Sequence, residues 1–156
     1  MTDLSITTDR SDPGLQKIRP DGQQESYLAL SEEERAKGYV LPVRREYRHA
    51  LCGGKTTMPV ACAETYARDP KFYGGTFCCA CGKHFPLIER SEPQFHWWPD
   101  GDPVGATAEE SQVFLAAKKQ QDIAARIRHL EVTRESLLCQ AECMKQDIIK
   151  LKDALR

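Results

Sequence analysis

Residues 77 to 85 read FCCACGKHF, three cysteines and a histidine within seven positions, and residues 49 to 55 read HALCGGK. Each stretch holds a ligand-x-x-ligand pair, His49 with Cys52 and Cys78 with Cys81, and in each the second ligand is followed by a glycine, Gly53 or Gly82. A metal knuckle turns so tightly that the residue after its second ligand needs positive φ, which glycine adopts without a Cβ clash, while backbone N–H groups in the turn point at the thiolate. Two such turns supply four donors for one tetrahedral zinc ion, Zn2+. A Cys3His set leaves no coordination position for a substrate, which is the arrangement of a structural site. The bland reading, cysteines and histidines that only fill space, has to account for the same gapped pair and the same glycine twice. Two alternatives stay open: Cys81-x-x-His84 also has ligand spacing, so His84 competes with His49, and Cys79 can substitute for a neighbour. Cys62 reads as a small buried hydrophobe and His96 as a strand residue.

Around these turns the sequence predicts an α+β head over residues 31–105, treble-clef or ribbon-like. SEEERAKG places Ser31 as an N-cap, Glu34 three residues later to close a capping box and Gly38 to end the helix. TTMPVACAETYARDP predicts a helix between the knuckles, capped by Thr56 or Thr57, with Pro59 in its first turn and Asp69-Pro70 ending it. HFPLIER and QFHWWPDGDPVG read as two short strands forming a hairpin, the second closed by a Pro-Asp-Gly-Asp turn. Residues 1–30, polar and interrupted by Pro13, Gly14, Pro20 and Gly22, read as an extended or disordered arm.

Residues 106–156 contain neither glycine nor proline, and Thr107 with Glu110 forms a second capping box. Val113, Gln120, Ile127, Arg134, Ala141, Ile148 and Leu155 recur every seven residues, as do Ala116, Ile123, Leu130, Leu137, Met144 and Leu151. These are the a and d rows of a coiled coil. In a parallel pair Arg126 faces Glu131 of the other helix, Asp147 faces Lys152, and no flanking pair is like-charged, which predicts a parallel homodimer. An amphipathic helix packed on its own head is the competing reading, but a helix of roughly 60 Å outruns so small a domain. Cys139 and Cys143 fall on the outer face as free thiols.

Composition narrows the function. The net charge of -1 removes the bulk argument for nucleic-acid or anionic-membrane binding. No apolar run is long enough to cross a bilayer, and MTDLSITTDRSD lacks the basic and apolar regions of a secretory signal, so a cytoplasmic location is expected. In a reducing compartment seven cysteines, an odd number, fit metal ligands and free thiols better than a disulfide framework. A catalytic reading rests on Cys62-Ala-Glu64 followed by CCAC, which superficially matches a zinc-deaminase signature. It fails because no proline precedes Cys78 and the interval after Glu64 holds Asp69-Pro70 and Gly74-Gly75 turns. A non-enzymatic role is therefore expected.

KGYVLPVRREYRHALCGG, TTM, ETYARDPKFYGGTFCCACGKHFPL and WPDGDPVG, spanning residues 37 to 105, resemble a family of small zinc-knuckle proteins encoded by bacteriophages and prophages. The resemblance implies a phage-associated accessory protein acting in the host cytoplasm, and agrees with His49, Cys52, Cys78 and Cys81 as ligands. The expected function is that of a regulatory or interaction protein binding a host or phage protein, with Trp97 and Trp98 as aromatic anchors. The alternative is a nucleic-acid-binding transcriptional regulator using Arg44, Arg45 and Arg48, whose bland reading is a solvated strand.

Overall fold

Side-chain alternation in two short segments builds the centre of the head. In EYRH (β3, Glu46–His49) the buried residues are Tyr47 and His49, and in FHW (β9, Phe95–Trp97) they are Phe95 and Trp97, the period of two that a half-buried strand requires. The computed structural model, which describes residues 4–155, pairs these strands antiparallel with Tyr47 opposite Trp97 and His49 opposite Phe95. Their rings meet edge to face, Tyr47 with Phe95 at 5.6 Å and Tyr47 with Trp97 at 6.1 Å between centroids.

In chain order the remaining elements are β1 (Ser5–Thr7), a 3-10 turn (Pro13–Leu15), β2 (Ser26–Leu28), α1 (Glu32–Ala36), then after β3 come β4 (Lys55–Thr57), α2 (Val60–Arg68), β5 (Gly75–Cys78), β6 (Lys83–Pro86), β7 (Ile88–Glu89) and β8 (Glu92–Pro93), with α3 (Ala108–Asp153) following β9. The strands form one three-stranded sheet in the order β4-β3-β9 and three two-stranded pairs, β1-β2, β5-β6 and β7-β8. The molecule is thus α+β, with small sheets and one long C-terminal helix. Helix α2 turns Cys62, Ala63, Tyr66 and Ala67 inward at helical spacing, and Tyr66 packs edge-on against Trp97.

Several local expectations are corrected. Thr56 and Thr57 do not cap α2: they belong to β4, where the chain pairs back on β3, and the helix starts at Val60 with Pro59 at its N-cap. HFPLIER and QFHWWPDGDPVG form only a short hairpin where they adjoin: β7 pairs with β8, and the Gln94 N–H donates to the Leu87 carbonyl at 2.8 Å. Beyond it the two part: the first segment runs back into β6, which returns across the second knuckle to β5, and the second runs on into β9, which joins β3. Residues 4 to 30 are not a bare arm either. β1 and β2 pair in parallel, Asp12 accepts the Gly14 N–H at 2.7 Å to cap the 3-10 turn, and Tyr73 donates to the Leu28 carbonyl at 2.7 Å, joining the segment to the head. Its order comes from Asx turns and anchoring contacts, which leave no hydrophobic period in the sequence.

Both capping boxes place their caps as expected. Ser31 Oγ accepts from the Glu34 N–H, and Thr107 and Glu110 exchange both hydrogen bonds, at 2.9 and 3.3 Å. Helix α3 has 46 residues, about 69 Å at 1.5 Å per residue. Contacts divide the chain into two compact units, one running to Leu115 and the other from Ala116 onward, so the first turns of α3 belong with the head. Phe114 stacks on His96 at 5.5 Å, and Lys71 pairs with Glu110 at 2.5 Å. Among the described residues no helix is long and apolar enough to cross a membrane.

Candidate metal centre

Two hairpins bring the donors together. His49 ends β3 and Cys52 sits in the turn to β4; Cys78 ends β5 and Cys81 sits in the turn to β6. The turns close identically, the Gly53 N–H donating to the His49 carbonyl at 2.8 Å and the Gly82 N–H to the Cys78 carbonyl at 2.9 Å. Gly53 and Gly82 have φ of 69° and 65°, the left-handed conformation expected of them. The glycine that touches the site is the next one: the Gly54 N–H donates to Cys52 Sγ at 3.3 Å.

The donor atoms of His49, Cys52, Cys78 and Cys81 all lie within 4.8 Å of one another. Zn–S near 2.3 Å and Zn–N near 2.0–2.1 Å put the edges of a tetrahedron at about 3.8 Å between sulfurs and about 3.6 Å between sulfur and nitrogen. The observed separations are 3.5 Å for Cys52 Sγ to Cys78 Sγ, and 3.4 and 3.6 Å from His49 Nδ1 to Cys52 Sγ and Cys81 Sγ. The cluster can therefore hold one metal ion with little movement. Helix α2 contributes no ligand.

Electrostatics agree with a cation-binding role. The Gly54 N–H pulls the Cys52 thiol below its ordinary range, while Cys81 is pushed up to about 11, first by its hydrogen bond with Cys52 and then by burial and by Cys78. Sulfurs so close resist joint ionisation until a divalent cation reverses the balance. Burial pushes His49 down and keeps it neutral, the ligating form. Its ring is held between Phe85 at 4.4 Å and Phe95 at 4.7 Å, which fixes Nδ1 towards the sulfurs, and its Nε2 is buried without a hydrogen-bond partner among the described residues.

The alternatives fall outside the cluster. His84 Nε2 meets the Tyr27 hydroxyl at 3.2 Å, and Cys79 is exposed with its N–H donated to Thr56 Oγ1 at 3.0 Å. Cys62 is buried in the core and Glu64 pairs with Arg35 of α1. The residues expected at a partner surface divide. Arg44 pairs with Asp102 at 2.6 Å and Asp100 at 3.1 Å and lies over Trp97, which is itself buried, so Arg44 and Trp97 are committed to the fold. Arg45 and Arg48 are exposed, and the Arg48 guanidinium lies 3.8 Å from the centre of the half-exposed Trp98 ring. Comparison with protein-family models, with curated proteins and with solved structures gave no match.

Proposed function

We propose that the chain is a non-enzymatic, structural-zinc interaction protein, a ribbon-like head stapled by His49, Cys52, Cys78 and Cys81 and carried on a coiled-coil homodimer. In this reading it is a phage-associated regulator that binds a host or phage protein. The observation that carries it is the closeness of the four donors to a tetrahedron, because three thiolates and an imidazole fill every position of a zinc ion and leave none for a substrate. Support for the stalk is the stripe of Ile123, Ile127, Leu130, Leu137, Met144, Ile148 and Leu151, each at least half exposed on α3.

Metal analysis of protein purified under reducing conditions tests the centre. About one zinc per chain is expected, and Cys81→Ser should release it and unfold the head. Absence of bound metal, or a disulfide between Cys78 and Cys81 in the cell, would falsify the reading. A second reading, a nucleic-acid-binding regulator, is favoured by one observation: Arg48 stacked on Trp98, with Lys55 paired opposite Arg48 across the sheet. Salt-dependent binding to DNA or RNA that is lost in Arg48→Ala would select it.

A further inference from the structure

We propose, resting on the interaction-protein reading above, that the partner is held at the outer face of the sheet β4-β3-β9, where Arg48 and Trp98 receive a glutamate or aspartate side chain flanked by an apolar residue. Strand alternation builds this face. Tyr47 and His49 of β3 and Thr56 of β4 are buried, so Arg48 and its cross-strand neighbour Lys55 turn outward, and both are exposed. The Trp98 N–H donates to the Glu46 carbonyl at 2.9 Å, which carries the pairing of β9 on β3 one residue further and fixes Trp98 beside the strand. Trp98 keeps 41% of its surface exposed.

The Arg48 guanidinium lies over the Trp98 ring, 3.8 Å from its centre. That contact removes rotamer freedom that a solvated arginine would lose on binding, so its fork of N–H donors is oriented in advance for the two oxygens of a carboxylate. The cations around it already have acids: Arg44 pairs with Asp100 and Asp102, and Lys55 pairs with Glu46 at 3.1 Å. Arg48 has no carboxylate among the described residues. Charge complementarity therefore calls for an anion, and the neighbouring acids decide its kind. With Arg48 included, these groups make three cations and three acids, so the patch is neutral as a whole and offers a polyphosphate chain no row of spare charges. A single spare guanidinium suits a single carboxylate, and the uncovered part of the Trp98 ring takes the apolar side chain next to it. Arg and Trp are also the residue types enriched among the anchors of protein interfaces.

The test is titration of the full chain, followed by amide and indole NMR, with three probes: acetyl-Leu-Glu-Phe-amide, the same peptide with Gln in place of Glu, and a short oligothymidylate. Expected are saturable shifts at Arg48, Lys55 and the Trp98 indole N–H with the glutamate peptide, and binding of the glutamine peptide weaker by roughly tenfold, the loss of one charge-assisted contact. Arg48→Ala should abolish the preference for glutamate. Arg45→Ala removes the same unit of charge from a side chain whose Nε donates to the Met58 carbonyl, and should leave the peptide affinity unchanged. The proposal is overturned if the glutamate peptide gives no saturable shift at about 1 mM, where even a weak site with Kd near that value is half filled. It is equally overturned if the glutamine peptide binds as well, or if Arg45→Ala and Arg48→Ala weaken binding alike, which is the mark of bulk charge. Tighter binding of the oligothymidylate at the same residues also overturns it and makes this a phosphate surface. Zinc analysis of the same sample keeps the two readings apart: a metal-loaded chain that ignores the peptide refutes this surface alone, whereas a chain without metal refutes the structural-zinc reading whatever the titration gives.

Discussion

Gly54 is where the two metal turns converge. A Cβ there would stand 2.5 Å from Ala80 Cβ and 3.2 Å from Cys52 Sγ, so Gly54→Ala must push the hairpins apart at the sulfurs. Overpacking of this kind typically costs about 1–3 kcal/mol, and we expect both a lower melting temperature and faster metal loss to a chelator. Gly53→Ala meets nothing within 4 Å and should cost only left-handed strain of about 1 kcal/mol, with chelator resistance largely kept. Cys79→Ser and His84→Gln should retain the metal that Cys81→Ser loses. The sequence made the ligand set visible through a repeated pair and glycine, but it left His49 and His84 in competition, because both stand three residues from a cysteine. Strand alternation decides between them. Phe85 of β6 packs on His49, so the preceding residue, His84, points to the opposite face and reaches Tyr27. That outcome depends on which strand pairs with which, and nothing in the spacing of ligands carries it.

Among the elements, the sheet β4-β3-β9 separates two arginines that look alike in the sequence RREYRH. Arg44 is about nine-tenths buried, at 11% side-chain exposure, and ties the entry to β3 to the turn after β9 through Asp100 and Asp102. Replacing it with Ala leaves a partly buried Asp102 without its cation and uncovers Trp97; a loss of about 1–3 kcal/mol is expected in urea unfolding. Arg48→Ala removes only an exposed stacking contact, worth about 0.5–1 kcal/mol, so any larger effect on a partner would mark Arg48 and Trp98 as a recognition surface. Equal destabilisation by both substitutions would refute this division. Helices α1, α2 and α3 were legible because caps, prolines and periodicity act locally. Pairings among strands of two to four residues were not, since so short a segment carries no register of its own and turn geometry imposes it. The N-terminal segment stayed hidden for a related reason: its fixed points are Asp side chains on nearby N–H groups and single contacts such as Tyr27 with His84.

For the whole molecule, the question is what covers the apolar stripe of α3. From Ala116 onward almost every residue is exposed, Leu130 and Leu137 included, and water-exposed rows of Ile and Leu at heptad spacing are stable in company and unfavourable alone. A second copy fits, with Arg126 opposite Glu131 and Asp147 opposite Lys152 in the parallel register. The full chain should therefore be dimeric by light scattering at micromolar concentration, and a chain ending at Leu115, where the head's own contacts end, should be monomeric and keep its metal. Leu130→Asp with Leu137→Asp would set four carboxylates into the paired core, a penalty of several kcal/mol that yields monomers with a frayed helix. On an unpaired helix the same two changes touch only exposed positions and alter little beyond propensity, about 0.7 kcal/mol or less each. Arg134 provides the opposite sign. It sits at an a position between those two leucines, so a parallel pair brings two guanidinium groups together, and Arg134→Leu should raise the dimer's melting temperature. A wild-type chain that stays monomeric, with neither substitution moving its helix content, would mean that the stripe belongs to a different protein chain.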